Sequence, residues 1–520
     1  MSGLANAGAL AIINRATTTM RGAPSIRDAA LFATVIVLYV VCLRYSFRAT
    51  SELFTMVVHR VRVRLVDKIR RTDLLAHEHL GRGALYNNLV QELEIVSQSQ
   101  MWVVAAMQSM LMLLATTFYM ASLSIPGFVV SMITVITASV YYLYRQKEAR
   151  RAMDRTSDLT IGYVDQLNHV LDGFKEIKLS RARSGEIHSD LEHASDDVRT
   201  AAVATASINH DLFIFSQCYF YFLMAIIVFV LPRFAPTDAK SITELTATVL
   251  FMVGPLGALV ATIPLVSRAN VAAAHVLELE AKLDENRTTD DDHHLAADYR
   301  RFERIVCERM EFSYREPDGA PLFTVGPIDL TIEQGRTLFI VGGNGSGKSS
   351  LLKLITALYL PDGGTLRLDR EIITRENSQD YRELFSAVFS DFHLFTKLYG
   401  IGRVDERKVQ EFLEVMALAD KTRYLGDRFS HTDLSTGQRK RLALLITYLE
   451  DRPIYVFDEW AADQDPEFRQ HFYTVMLREL KERGKTVIAA SHDDRYFHVA
   501  DRVVKMEYGR IVADLTPERR

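Results

Sequence analysis

The segment Gly342-Gly343-Asn344-Gly345-Ser346-Gly347-Lys348-Ser349 fits the spacing G-x-x-x-x-G-K-[ST], and Ser350 follows it directly. Its glycines leave backbone N–H groups free to point at phosphate oxygens. Lys348 adds positive charge over the β and γ phosphates of a nucleoside triphosphate, and Ser349 offers a hydroxyl to Mg²⁺. A loop of this kind alone marks several classes of nucleotide hydrolase, so the residues around it decide. The apolar run Ile454-Tyr455-Val456-Phe457 reads as a buried strand that ends in Asp458-Glu459. Asp465 follows, and His492 comes after a second such run, Thr486-Val487-Ile488-Ala489-Ala490. Between the loop and these strands lies Leu434-Ser435-Thr436-Gly437-Gln438. A lone Asp-Glu pair or a lone His is usually a solvated or hydrogen-bonded residue. The whole set in this order makes an incidental match hard to sustain.

That order resembles the ATP-binding cassette family, and the resemblance implies a role for each residue. Asp458 would hold Mg²⁺ directly or through water, Glu459 would polarise the attacking water, and His492 would touch the γ-phosphate and sense its loss. Lys348, Glu459 and His492 form the implied catalytic set. Gly342, Asn344, Gly345, Ser346, Gly347, Lys348, Ser349 and Ser350 form the implied phosphate cradle. Tyr314, in Phe312-Ser313-Tyr314, sits where the family stacks an aromatic ring on adenine. Ser435, Gly437 and Gln438 would open a helix whose amino-terminal dipole faces the γ-phosphate bound to the opposite subunit. Asp465 is also placed among the nucleotide-binding residues. One complete site therefore takes two copies of the chain, with ATP and Mg²⁺ as its ligands.

The chain departs from the general family pattern in three places. Where most members carry a glutamine that reaches Mg²⁺ and links nucleotide to the membrane helices, this chain reads Val388-Phe389-Ser390-Asp391, so Ser390 takes the metal-facing position with a much shorter side chain. Thr436 stands where glycine is usual, and Glu459 is followed by Trp460-Ala461-Ala462-Asp463-Gln464-Asp465-Pro466. Together these resemble the branch that exports cyclic peptides and peptide siderophore precursors, including the pyoverdine and syringomycin exporters.

The elements that must position this chemistry divide the 520-residue chain unevenly. Residues 1–281 read as a membrane domain with long intracellular helices, 282–300 as a charged linker, and 301–520 as the cassette. Ala29 to Leu43, Val103 to Leu123, Phe128 to Leu143, Leu212 to Leu231 and Leu245 to Val266 are apolar runs near the length a bilayer crossing needs. Basic residues from Arg44 to Arg71 and from Arg145 to Arg151 place those two exits in the cytoplasm, and the uncharged turn Ser122 to Gly127 outside. Arg48 to Leu80 and Arg145 to Thr200 are polar and helical in pattern, with tips near Leu74 to Leu85 and Gly173 to Ser180. An exporter half has six crossings, yet Gly3 to Ile13 is too short for one and resembles the outer end of a first span. The expected fold class is thus an α-helical transmembrane domain of the ABC exporter type, a six-helix pattern with its first helix truncated, fused to an α/β P-loop cassette. A signal peptide competes for the amino terminus but lacks a basic n-region and a cleavage site.

A net charge of −4 implies no general attraction to nucleic acid. The odd count of three cysteines, far apart and without a CxxC, argues against a disulfide scaffold or zinc site and for small buried hydrophobes. Asp290-Asp291-Asp292-His293-His294 reads as a solvated hinge, and neighbours in His77-Glu78-His79 point in different directions on a helix, against joint metal ligation. Gln108, Gln217 and Tyr221 suit either a wet cavity or packing between helices. The expectation is a homodimer in the bacterial cytoplasmic membrane, cassette inward, exporting a peptide-like cargo by alternating access. An exporter of drugs or lipids would share every ATP motif, and a soluble cassette ATPase is the reading from a different class.

Overall fold

The structure is a computed structural model that describes residues 2–19, 26–234, 239–286, 302–316, 319–402 and 404–515. The chain falls into two compact units, Met1–Arg64 with Tyr86–Leu279, and Leu65–Leu85 with Glu280–Arg520.

The first unit is helical. Among the described residues, five stretches are long and apolar enough to cross a membrane: Ile26–Arg70, Asn87–Leu123, Ile125–Asp172, Arg181–Phe234 and Lys240–Glu285. They are preceded by α1 (Ser2–Thr19). The apolar part and its polar extension are continuous in α2 (Ile26–Arg70), which contains neither Gly nor Pro to break it. After α3 (Leu74–Leu80) and α4 (Arg82–Tyr86), a π-turn over Asn87–Glu92 leads into α5 (Leu93–Leu123). Only Ser124 separates α5 from α6 (Ile125–Asp172); its Oγ accepts a hydrogen bond from the Gly127 N–H at 3.3 Å and Pro126 lies in the first turn, both ordinary helix-start devices. Gly173 ends α6. The short α7 (Phe174–Leu179) then leads to Ser180, whose Oγ caps α8 (Arg181–Ala225) through the Arg183 N–H. The π-turn Ile226–Val230 and α9 (Leu231–Phe234) complete that crossing, and α10 (Ala239–Glu285) carries Pro255 and Pro264 inside it, as membrane helices tolerate.

Two expectations change here. The first helix extends past Ile13, because Asn14 finds the Tyr119 hydroxyl, the Glu244 carbonyl and the Thr248 hydroxyl, each at 3.4 Å, and so can be buried. Of the three cysteines only Cys307 is buried; Cys42 is half-buried and Cys218 exposed. Gln108 donates to the Tyr39 hydroxyl at 3.2 Å, a contact between helices.

The second unit is built on two sheets. β1 (Arg304–Arg315), β2 (Pro321–Glu333), β4 (Gly363–Leu368) and β5 (Glu371–Ile372) form an antiparallel sheet in the order β2-β1-β4-β5. β3 (Thr337–Val341), β6 (Phe385–Val388), β7 (Ile454–Asp458), β8 (Thr486–Ser491), β9 (Arg502–Glu507) and β10 (Arg510–Leu515) form the other, in the order β10-β9-β3-β8-β7-β6. All its pairings are parallel except that of β10. Every residue of β3, β7 and β8 is buried, which explains why these strands read as unbroken apolar runs. Alternate side chains enter opposite cores. Ile340, Val456 and Ile488 join one cluster, while Phe339, Val341, Tyr455, Phe457 and Val487 join the other. Besides α3 and the parts of α2, α4 and α10 that belong to this unit, its α-helices are α11 (Lys348–Ile355), α12 (Ser378–Arg382), α13 (Glu406–Val415), α14 (Thr436–Glu450), α15 (Pro466–His471) and α16 (Leu477–Glu482).

The start of β3 is tied down by Asp501, whose carboxylate accepts from the Thr337 N–H at 3.0 Å and from Lys481 Nζ at 2.5 Å. Burial pushes this carboxyl up, but those bonds and the Arg336 charge outweigh it and hold it below the usual range. A depressed carboxylate stabilises the fold above its unfolded value of about 3.9 and loses that contribution as pH falls through the lower, folded value. Asp501→Asn is therefore expected to cost about 1–3 kcal/mol at neutral pH and nothing well below pH ~4, read as the cassette unfolding transition at both pH values.

Candidate nucleotide-binding site

The parallel register places the chemistry. Val341 pairs with Ser491, Asp458 with Ala490, and Val388 with Phe457, so β3, β8, β7 and β6 end along one edge of the sheet. The residues that leave those ends are the phosphate loop, His492, Asp458-Glu459 and Ser390. In open parallel sheets the crevice outside the carboxyl ends is where ligands bind.

The loop from Gly342 to Gly347 carries β3 into α11, whose amino terminus presents unpaired N–H groups. Gly342 has φ 155°, and a Cβ there would lie 2.4 Å from the Met506 carbonyl oxygen, so no other residue fits. Gly343, Asn344 and Gly345 are exposed while Ser346 is buried, its Oγ without a hydrogen-bond partner among the described residues. Lys348 is 4 % exposed. Its Nζ donates to the Gly342 and Gly343 carbonyls at 3.1 and 3.0 Å and lies 3.2 Å from Glu459 Oε1. The same carboxylate oxygen meets His492 Nε2 at 2.7 Å. Burial pushes Glu459 up, and the bonds from His492 and Lys348 more than reverse it, so the carboxyl sits below its ordinary range and is ionised at neutral pH. A buried ammonium, an orphaned buried hydroxyl and a helix amino terminus converging on one glycine loop suit an anion with several oxygens. A nucleotide's phosphates fit.

Asp458 is buried, with one oxygen accepting from Ser349 Oγ at 3.1 Å and the other 3.4 Å from the Ser390 N–H. Ser349 and Asp458 thus share a locus of hard oxygen donors of the kind Mg²⁺ takes. Ser390 comes to this locus through its backbone, and its residue is exposed. Tyr314 donates to or accepts from Ser350 Oγ at 2.9 Å, with its ring edge-on to Phe312.

The second motif opens α14. The Ser435 hydroxyl accepts from the Gln438 N–H at 3.4 Å, and the Gln438 side chain accepts from the Ser435 N–H at 3.2 Å, a reciprocal capping box. Ser435 and Thr436 are exposed at this tip. Gly437 is pressed against the segment that follows Glu459, where a Cβ would stand 2.8 Å from the Asp463 carbonyl oxygen. Asp465 caps α15 by accepting from the Phe468 N–H at 2.8 Å and pairs with Arg441.

Residues that sequence reasoning missed hold these two segments together. Buried Lys440 donates to the Glu459 carbonyl at 2.9 Å and reaches Asp463 at 2.7 Å; Trp460 Nε1 donates to the Lys440 carbonyl at 2.8 Å. Gln464 donates to the Gly437 carbonyl at 3.1 Å and accepts from Arg441 at 2.8 Å. The unusual sequence Trp460 to Gln464 is thus the counterpart of α14. Its visible signal was a basic residue, Lys440, inside an otherwise apolar helix face. Asp290 to His294 lies outside the described residues, and among those described no group of His, Cys, Asp and Glu is arranged to hold a metal by itself.

A family model described as ABC transporter matches residues 325–462. The chain is 34 % identical over 489 residues to ATP-binding protein SyrD of Pseudomonas syringae pv. syringae, covering 90 % of this chain and 86 % of that one. It is 32 % identical over 208 residues to arginine transport ATP-binding protein ArtM of Bacillus subtilis (strain 168), covering 37 % of this chain and 84 % of that one. A solved bacterial Atm1-family ABC exporter with ATP bound shares the fold, with TM-score 0.80 over 99 % of this chain and 92 % of that one at 17 % identity. The near full-length relationship to SyrD, the apolar crossings and the phosphate loop agree: the chain belongs to the ATP-binding cassette transporters, as a multi-pass membrane exporter with an ATP-hydrolysing cassette on the cytoplasmic side.

Proposed function

We propose that two copies of this chain form a homodimeric exporter that moves a cyclic or nonribosomal peptide, or a siderophore precursor, out across the bacterial cytoplasmic membrane. The observation that carries the two-copy reading is exposure. The phosphate loop from Gly343 to Gly345 and the helix tip at Ser435 and Thr436 both lie open in a single chain. A helix amino terminus capped by its own side chains still presents a positive dipole end, and a γ-phosphate on a second copy's loop is the anion that suits it. The cargo reading rests on the departures at Ser390, Thr436 and Trp460 to Pro466 and on the relationship to SyrD along nearly the whole chain.

The chemistry starts from a neutralised lysine. Glu459 supplies the charge that buried Lys348 requires. An arriving β,γ-phosphate group takes over that pairing and frees Glu459 to turn towards the attacking water while His492 keeps contact with it. Ser349 and Asp458, with Ser390 beside them, are the residues that would hold Mg²⁺, which would screen the phosphate charge. Tyr314 offers a flat face to adenine. Two nucleotides then join the cassettes, closing one state better than the other, and hydrolysis releases them.

Lys348→Ala is expected to lower Mg²⁺-dependent ATPase of the protein in lipid by about 10²-fold or more, and full activity would contradict the site. Glu459→Gln should lose a comparable factor of about 10²–10⁴ while still binding ATP, as a general base does. For the cargo, cells lacking the gene should accumulate a peptidic metabolite that the wild-type gene, but not its Lys348→Ala form, clears. Identical intracellular metabolites with and without the gene would contradict peptide export.

A further inference from the structure

Glu459 and His492 meet at 2.7 Å, yet the stretches that follow them in the chain are separated by a cavity of about 350 Å³, with Ala462, Arg469, Tyr473 and Asp493 in its wall. Polar contacts from α15 and the π-turn Phe472–Met476 that continues it span this gap. Arg469 Nε donates to the Ala461 carbonyl at 3.2 Å, and its Nη2 donates to the Ala462 and Gln464 carbonyls at 3.2 and 3.1 Å. Its Nη1 lies 3.6 Å from the carboxylate of Asp493, the residue after His492. Four positions on, and so on the same face, the Tyr473 hydroxyl shares a hydrogen bond of 2.7 Å with Oγ of Ser491, the residue before His492. Ser491 Oγ also accepts from the Asp493 N–H at 3.1 Å, and Asp493 pairs with the exposed Arg495 at 3.1 Å.

We propose that Arg469 is a positioning residue for hydrolysis, which sets the segment leaving Glu459 and the segment leaving His492 at the spacing where their side chains meet, an inference that rests on the roles given above to those two groups. A guanidinium is a rigid planar fork, so three carbonyls and a carboxylate gathered on one such group are fixed in direction relative to each other, as a flexible point charge would not fix them. Two of the carbonyls belong to the 3-10 turn Trp460–Asp463 and the third to the residue that ends it, and the carbonyl end of a helical turn needs donors from outside. Glu459 enters that turn in its left-handed conformation, which persists only where the surroundings over-determine it. Lys440 holds the turn from α14, while Arg469 holds it from α15 and carries the hold across the cavity to the residue after His492. With open space between the two segments, packing does not substitute for that bridge. The acceptors of Arg469 lie outside the phosphate loop, so its loss should disturb the reacting geometry and spare the binding of nucleotide.

Mg²⁺-dependent ATPase of the full chain in lipid nanodiscs is to be measured against ATP concentration for Arg469→Gln, Asp493→Asn and the double variant, with ATP affinity without Mg²⁺ and melting temperature alongside. Arg469→Gln should lower kcat about tenfold or more, with KM and ATP affinity within about twofold of wild type and the melting temperature kept. Asp493→Asn should lower kcat to a smaller extent, and the double variant should be no slower than Arg469→Gln, because both changes cut one bridge. Arg495→Gln, which leaves that bridge in place, should keep kcat within about twofold. An unchanged kcat in Arg469→Gln overturns the proposal, as do losses that multiply in the double variant or an Arg495→Gln loss equal to that of Asp493→Asn. So does a fall in kcat that comes only with weaker ATP binding or a lower melting temperature, since that is what a merely structural clamp gives. If Arg469→Gln does not fold, Asp493→Asn decides: full kcat overturns the proposal, and a loss at unchanged affinity and melting temperature supports it. Full activity of Glu459→Gln in the same assay would overturn the assignment of the base, whereas its loss beside an unaffected Arg469→Gln overturns this inference and leaves that assignment standing.

Discussion

A buried ammonium must be neutralised in every state the protein visits, and Lys348 is such a group. Leaving it unpaired would cost about 3–5 kcal/mol, so the loop is never indifferent to what occupies it. In this structure the neutralising group is Glu459, held at the same time by His492. In the proposed cycle the residue implied as the base stays engaged until phosphate displaces it. In that cycle binding and the readiness to hydrolyse are one event.

What brings these three side chains together is strand order. β3, β8 and β7 are neighbours and parallel, so the loop with Lys348, the residue after Ser491 and the residue after Asp458 leave the sheet side by side although they are far apart in the chain. The strands can be parallel and fully buried because both faces are covered by apolar cores. Glu459 itself sits in a left-handed backbone conformation at φ 50°, a costly geometry for a non-glycine residue that turns the chain sharply out of β7. Lys440 and Trp460 then fix that turn against α14. The exposed tip of α14 and the turn at Glu459 are thus parts of one body.

The phosphate loop, Asp458, Glu459 and His492 were legible in the sequence because each is defined by residue type at fixed local spacing beside an unbroken apolar strand. The membrane crossings were legible for a similar local reason, their length and their basic flanks. Partners distant in sequence were not. Lys440 and Asp463 carry no mark that they meet, since helical periodicity tells which face a residue occupies but not which distant residue covers that face. The change of composition along α2 past Arg48 reflects a change of solvent, from lipid to water, and not a change of backbone. Asn14 looked like the end of an apolar helix because its partners come from α5 and α10. Ser390 was seen to be short, but that its backbone N–H approaches Asp458 follows only from the pairing of β6 with β7.

The exchange of Glu459 for phosphate at Lys348 is tested most directly by ATP affinity without Mg²⁺ in a double-mutant cycle over the two positions. If Glu459 is the resting partner, Glu459→Gln should tighten ATP binding more in the protein that keeps Lys348 than in Lys348→Ala, since only the former must break the pair to bind. Equal tightening in both backgrounds, or greater tightening in Lys348→Ala, would show that the carboxylate merely repels the phosphates and would contradict the account.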